Sequence, residues 1–124
     1  ISYYSTTDTA LRYAYYTGTQ WSAKTVDNTA AVGMYTSLAL DVAGHPHISY
    51  CDVLSSTLKY AHHDGVGWRS ETVDASGSLA GANSIAVDLS GRPHIAYGDW
   101  PSLKYAYYFE IRCTLYLPVV IKGN

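Results

Sequence analysis

The sequence predicts an all-β chain, and three observations carry that expectation. Its 124 residues include 13 Tyr, 3 Trp and 10 Gly against one Met and one Phe, a bias toward strand formers and turn residues. Apolar residues alternate with polar ones over short runs and do not recur at helical spacing. The chain also repeats itself: Ser37-Leu38-Ala39-Leu40-Asp41, then Gly44-His45-Pro46-His47-Ile48-Ser49-Tyr50, returns as Ser84-Ile85-Ala86-Val87-Asp88, then Gly91-Arg92-Pro93-His94-Ile95-Ala96-Tyr97.

The repeat has a fixed period. Ile1, Ile48 and Ile95 stand 47 residues apart, and Ile1-Ser2-Tyr3 is the tail of a copy whose first half is not in the sequence. Leu11, Tyr13, Gly18, Trp21, Val26 and Asp27 recur as Leu58, Tyr60, Gly65, Trp68, Val73 and Asp74. A third copy drops two residues in a loop, so that Leu58-Lys59-Tyr60-Ala61 returns as Leu103-Lys104-Tyr105-Ala106.

Within one period four strands can be marked. The first, Ser37 to Asp41, points Leu38 and Leu40 one way and Ser37, Ala39 and Asp41 the other. A tight turn follows, because the Asp41 carboxylate can accept backbone N–H bonds and Gly44 can take positive φ; Asp88 and Gly91 hold the same places one period on. The second strand is His47 to Asp52 and the third Thr57 to His63, after which Asp64-Gly65 turns the chain into a fourth, Trp68 to Val73.

A four-stranded meander at this period is the form of a β-propeller blade. Stacked blades bury both faces of each sheet, so large side chains need small partners such as Ala14, Ala39, Ala61, Ala86, Ala96 and Ala106. The expected fold is therefore a partial β-propeller of about two and a half four-stranded antiparallel blades. It divides into a partial blade at 1–27, a full blade at 36–74, a third at 83–111, and a last strand or C-terminal tail at 112–124.

These residues carry a resemblance. Ser-Leu-Ala-Leu-Asp, Gly-x-Pro-His-Ile-Ser-Tyr, Leu-Lys-Tyr-Ala and Trp with Glu-Thr-Val-Asp resemble the blades of secreted bacterial β-propellers, distantly similar to sialidase-like ones. Tyr116-Leu117-Pro118-Val119-Val120 resembles the endings of some secreted bacterial surface proteins. The resemblance implies an extracellular or cell-surface setting and says little of activity, because one blade type carries lectins, hydrolases and inert scaffolds. The sialidase Asp box is not matched: Ser84, Asp88 and Gly91 have a different spacing and no Thr-Trp follows. Arg12, Arg69, Arg92 and Arg112 occupy unrelated repeat positions and form no arginine triad.

Several classes of chemistry are excluded or weakened by what the chain contains. A formal charge of −2 with only 8 Lys and Arg, spread along the chain, provides no stripe for nucleic acid and no polybasic membrane patch. No apolar run is long enough to span a bilayer, and the absent initiator Met suggests a chain cut or processed from a longer one. Cys51 and Cys113 have no CxxC spacing and read as two free or buried thiols. No Gly-x-Ser-x-Gly elbow, phosphate loop or dinucleotide fingerprint occurs, so no catalytic residue and no cofactor are expected.

The remaining candidates are binding groups. His45-Pro46-His47, with His62 or His63 nearby, has the form of a metal pair, but the next copy has Arg92 for His45 and no carboxylate keeps ligand spacing, so no metal is expected. Asp41 and Asp88 read as turn staples, since a duplicated residue does not make a single active site. Trp100, Tyr107 and Tyr108, with Tyr15 and Tyr16, offer faces on which a sugar can stack, Trp100 beside Pro101 being the least explained by packing. Closed propellers have about four to eight blades, so the expected partners are further blades of the same parent chain or other copies, with a glycan possible. The function expected first is a non-catalytic structural or protein-interaction module. A carbohydrate-binding propeller is the alternative, and the C-terminal part of a propeller hydrolase the third reading.

Overall fold

The structure is a computed structural model that describes the chain apart from Ala30, Ser78 and residues 112–114 and 123–124; for residues 80, 109–111 and 115–122 only the backbone is described. Eleven strands run β1 Ser2–Ser5, β2 Ala10–Tyr16, β3 Trp21–Asp27, β4 Val32–Leu40, β5 Pro46–Asp52, β6 Thr57–His63, β7 Trp68–Asp74, β8 Leu79–Val87, β9 Pro93–Asp99, β10 Ser102–Ile111 and β11 Leu115–Lys122. They form three antiparallel meanders: β1-β2-β3, then β4-β5-β6-β7, then β8-β9-β10-β11. This is a partial propeller-like fold, with one blade of three strands and two of four.

The turns follow from their residues. Asp41 Oδ1 accepts from the backbone N–H of Ala43 and His45 at 2.9 and 2.8 Å, and Asp88 Oδ1 accepts from Ser90 and Arg92 at 2.9 Å each. Gly44 and Gly91 take φ of 85° and 78° in those turns. Each carboxylate's other oxygen holds the residue that follows the glycine, His45 Nδ1 at 3.2 Å and Arg92 Nε at 2.8 Å. The exchange of His45 for Arg92 between copies therefore keeps one contact to the turn carboxylate, made by two different side-chain nitrogens.

The first strand of the full blade begins earlier than the alternation at Ser37 suggests. β4 starts at Val32, and its pairing with β5 slips twice, between Val32 and Met34 and between Met34 and Ser37. Those slips interrupt the period of two that marks a regular strand, which hides residues 32–36 from an alternation test.

The core lies between the sheets. Leu11 of the first sheet meets Val32, Ile48, Tyr50 and Ala61 of the second. Leu58, Tyr60 and Val73 of the second meet Ile85, Ile95, Tyr97, Ala106 and Tyr108 of the third. Burial of a Leu, Ile or Val side chain stabilises by about 1.5–3 kcal/mol, so these two layers bind the three sheets together. Ala61 and Ala106 are the buried small partners, whereas Ala86 and Ala96 sit exposed on the outer face of the third sheet.

Candidate functional site

Between the second and third sheets lies a cavity of about 400 Å³. The second sheet contributes His47 from β5, Tyr60 and His62 from β6 and Glu71 from β7; the third contributes the Ser90–Pro93 turn and Tyr108. Alternation along β6 points Tyr60 and His62 to the same face, and the register places His62 opposite His47. The three rings stack, with centroids 5.4 Å apart for Tyr60 and His62 and 5.6 Å for His47 and His62.

The polar groups of this cavity are held in place. His47 Nδ1 and the Tyr60 hydroxyl lie 2.6 Å apart, and His47 Nε2 lies 3.6 Å from Asp41 Oδ2. Burial lowers the pKa of His47 and of His62 below the ordinary histidine value, favouring the neutral rings. Burial also raises the pKa of Tyr108, and the Glu71 carboxylate facing it raises it further. His62 Nδ1 is buried with no hydrogen-bond partner among the described residues.

The same construction recurs one period earlier. Between the first and second sheets a cavity of about 260 Å³ is lined by Tyr13, Tyr15, Lys24, Pro46, His63 and Trp68. Tyr13, Tyr15, Lys24 and Pro46 precede Tyr60, His62, Glu71 and Pro93 by 47 residues each. Tyr13 and Tyr15 stack at 5.7 Å with 19° between planes, and Trp68 meets Tyr13 edge-on at 5.6 Å. The charged member changes sign, Lys24 in one cavity and Glu71 in the other.

The binding candidates read from sequence fall in different places. His47 and Tyr108 line the larger cavity. Tyr107 stacks on His94 and Tyr105 of its own sheet, at 6.4 and 5.5 Å. His45 lies outside both linings, bonded to Asp41 and 6.4 Å from the His63 ring. Trp100 is 83% exposed in the β9–β10 connection, apart from either cavity lining. The turn residues Asp41, Gly44, Asp88 and Gly91 make the turn bonds described above, and Gly91 also borders the larger cavity. Among the described residues no group of three or more His, Cys, Asp and Glu is placed to hold a metal ion. Cys51 is buried with a free thiol, whose pKa burial pushes up, and Cys113 lies outside the described residues.

Sequence reasoning passed over Tyr60, Glu71 and Arg92, and with them Tyr13, Lys24 and Trp68. A signal was present: a Tyr and a charged residue 11 positions later, Tyr13 with Lys24 and Tyr60 with Glu71, at matched repeat positions.

Such a lining has aromatic faces for apolar C–H surfaces, and a carboxylate or ammonium, an imidazole and a guanidinium for hydroxyl groups. No family model and no curated protein match the chain. In fold it is similar to a fucose lectin from Kordia zhangzhouensis whose structure was solved in complex with methyl-fucoside, with a TM-score of 0.57 and 17% identity, over 96% of this chain and 87% of that one. At that identity the likeness bears on the fold alone, and the chain is therefore a partial, propeller-like stack of antiparallel sheets.

Proposed function

We propose that this chain is a non-catalytic carbohydrate-binding module with one shallow site at each junction between blades. The observation that carries the reading is the pair of repeat-equivalent cavities, built from Tyr13, Tyr15 and Lys24 in one case and Tyr60, His62 and Glu71 in the other. A site that recurs with the fold's own period is what a multivalent binder needs, because modest sites then add through avidity. The fold likeness to a fucose lectin supports the same reading. The larger cavity's lining holds a single carboxylate, Glu71, whereas glycoside hydrolysis ordinarily uses a pair. An extracellular or cell-surface setting is part of this proposal.

The test is titration of the full chain with methyl-fucoside and a panel of other methyl glycosides by calorimetry, beside a glycan array. The expected result is saturable binding, roughly millimolar, at two sites per chain. Glu71→Gln and Lys24→Gln each remove one site, and the double variant removes both, without change in the melting temperature. Absence of saturable binding across the array and the panel would sink the proposal. So would binding that the double variant leaves intact.

The structural or protein-interaction reading has its own support. Ile1 and Tyr3 on the first sheet and Leu103 and Tyr105 on the third are 62%, 37%, 65% and 37% exposed, so both outer sheets present apolar side chains to solvent.

A further inference from the structure

Neighbouring sheets are joined by a latch that occurs twice. Asp27, at the end of β3, accepts a hydrogen bond at 2.6 Å from the Tyr50 hydroxyl on the next sheet, and Lys59 Nζ lies 3.0 Å from the same oxygen. One period later Asp74, at the end of β7, accepts at 2.7 Å from Tyr97, with Lys104 Nζ at 3.0 Å. In both sockets the tyrosine and the cation are direct partners across a strand pair, Tyr50 with Lys59 and Tyr97 with Lys104. The carboxylates are buried, with side-chain exposures of 1% for Asp27 and 10% for Asp74.

The first sheet has the same socket on its other side, facing away from the rest of the molecule. Tyr3 and Arg12 precede Tyr50 and Lys59 by 47 residues, and they are again direct cross-strand partners, on β1 and β2. Arg12 Nη1 is held by Asp8 of its own hairpin at 2.5 Å, but its Nε is buried with no hydrogen-bond partner among the described residues. The Tyr3 ring is exposed. β1 is also an edge strand, whereas its counterparts β5 and β9 are paired on that side by β4 and β8. Beside it the Tyr16–Trp21 ring pair is exposed, although its counterpart His63–Trp68 helps to line a junction cavity.

We propose that this face is a docking surface for a further blade of the same repeat, one whose fourth strand ends in an aspartate that pairs with Arg12 and Tyr3. Charge complementarity selects the occupant: a half-buried guanidinium, its Nε buried, beside a phenol asks for a carboxylate, and both internal latches supply one from the last strand of the preceding sheet. The inference is independent of sugar binding, and its test reads no sugar.

The experiment places one more of the chain's own periods, residues 1–47, in register before Ile1 and compares thermal unfolding with that of the original chain. The extended chain is expected to melt about 5 °C or more above it, with new amide protection at Ser2–Ser5. More than half of that gain should vanish on Arg12→Gln, or on Asp27→Asn in the added period, while Arg12→Gln in the original chain shifts melting by less than about 1 °C. Exchanging the pair, Arg12→Asp with Asp27→Arg in the added period, should restore part of the gain. An unfolded extended chain, no gain, or a gain indifferent to Arg12 overturns the proposal. A discrete oligomer of the original chain that Arg12→Gln dissociates also overturns it, because a second copy would then occupy the face.

Discussion

At the scale of single residues, Asp27 shows how a polar side chain joins two sheets. Burial alone would raise its pKa, but the hydrogen bonds from Tyr50, Thr29 and Lys59 prevail and hold it down at about 2. Removing the negative charge leaves Lys59 facing a neutral group in a site where it is only 15% exposed. Asp27→Asn is therefore expected to cost roughly 3 kcal/mol in urea unfolding, and Tyr50→Phe, which removes one neutral donor, about 1–2 kcal/mol. Equal costs for the two variants would contradict the ion-pair account. The histidines act at a higher pH. His47 and His62 have folded pKa values below 6.5, so the unfolded chain binds the extra protons and stability falls as pH drops below about 6.5. A second fall is expected between about 3.8 and 2, where Asp27 and Asp88 lose the charge that their hydrogen-bond partners favour in the folded state. Urea midpoints measured from pH 8 down to about pH 2 test both steps, and His62→Gln should flatten the upper one.

At the scale of elements, the strands most legible in the sequence are those with uninterrupted alternation. Thr57–His63 matches the observed β6, because a regular strand between two short connections keeps the period of two intact. β4 is harder to read, since its first residues serve the neighbouring sheet more than its own ladder. Gly33 has φ of 106°, and a Cβ placed there would lie 2.6 Å from the Leu11 Cα of the first sheet. That contact forces the slip in register and explains a glycine inside a strand. Gly33→Ala is accordingly expected to lower stability by about 3 kcal/mol or more, well beyond the ordinary cost of a strained φ, or to prevent folding. A variant within about 1 °C of the parent melting temperature would show that the two sheets separate more readily than this geometry implies.

At the scale of the whole molecule, the two cavities belong to pairs of sheets and not to any one sheet. Tyr60 and His62 could be read from sequence as alternating residues of one strand, and the Ser90–Pro93 turn as a turn. Their convergence on one cavity depends on how the second and third sheets face each other, which no spacing within a strand encodes. The aromatic most conspicuous in sequence, Trp100, lies in a connection outside both linings. Tyr107 turns to the outer face, where it stacks with His94 and Tyr105. By itself the sequence determined the all-β class, the 47-residue period, the meander within it and the aspartate turns, because each depends on neighbours a few residues apart or on a direct copy one period on. Only the tertiary structure decided which side chains of neighbouring copies meet, where the cavities open and which face keeps Tyr3 exposed beside Arg12. Those features arise from side-chain contacts between separate sheets, set by packing and charge pairing across a gap that the order of residues does not record.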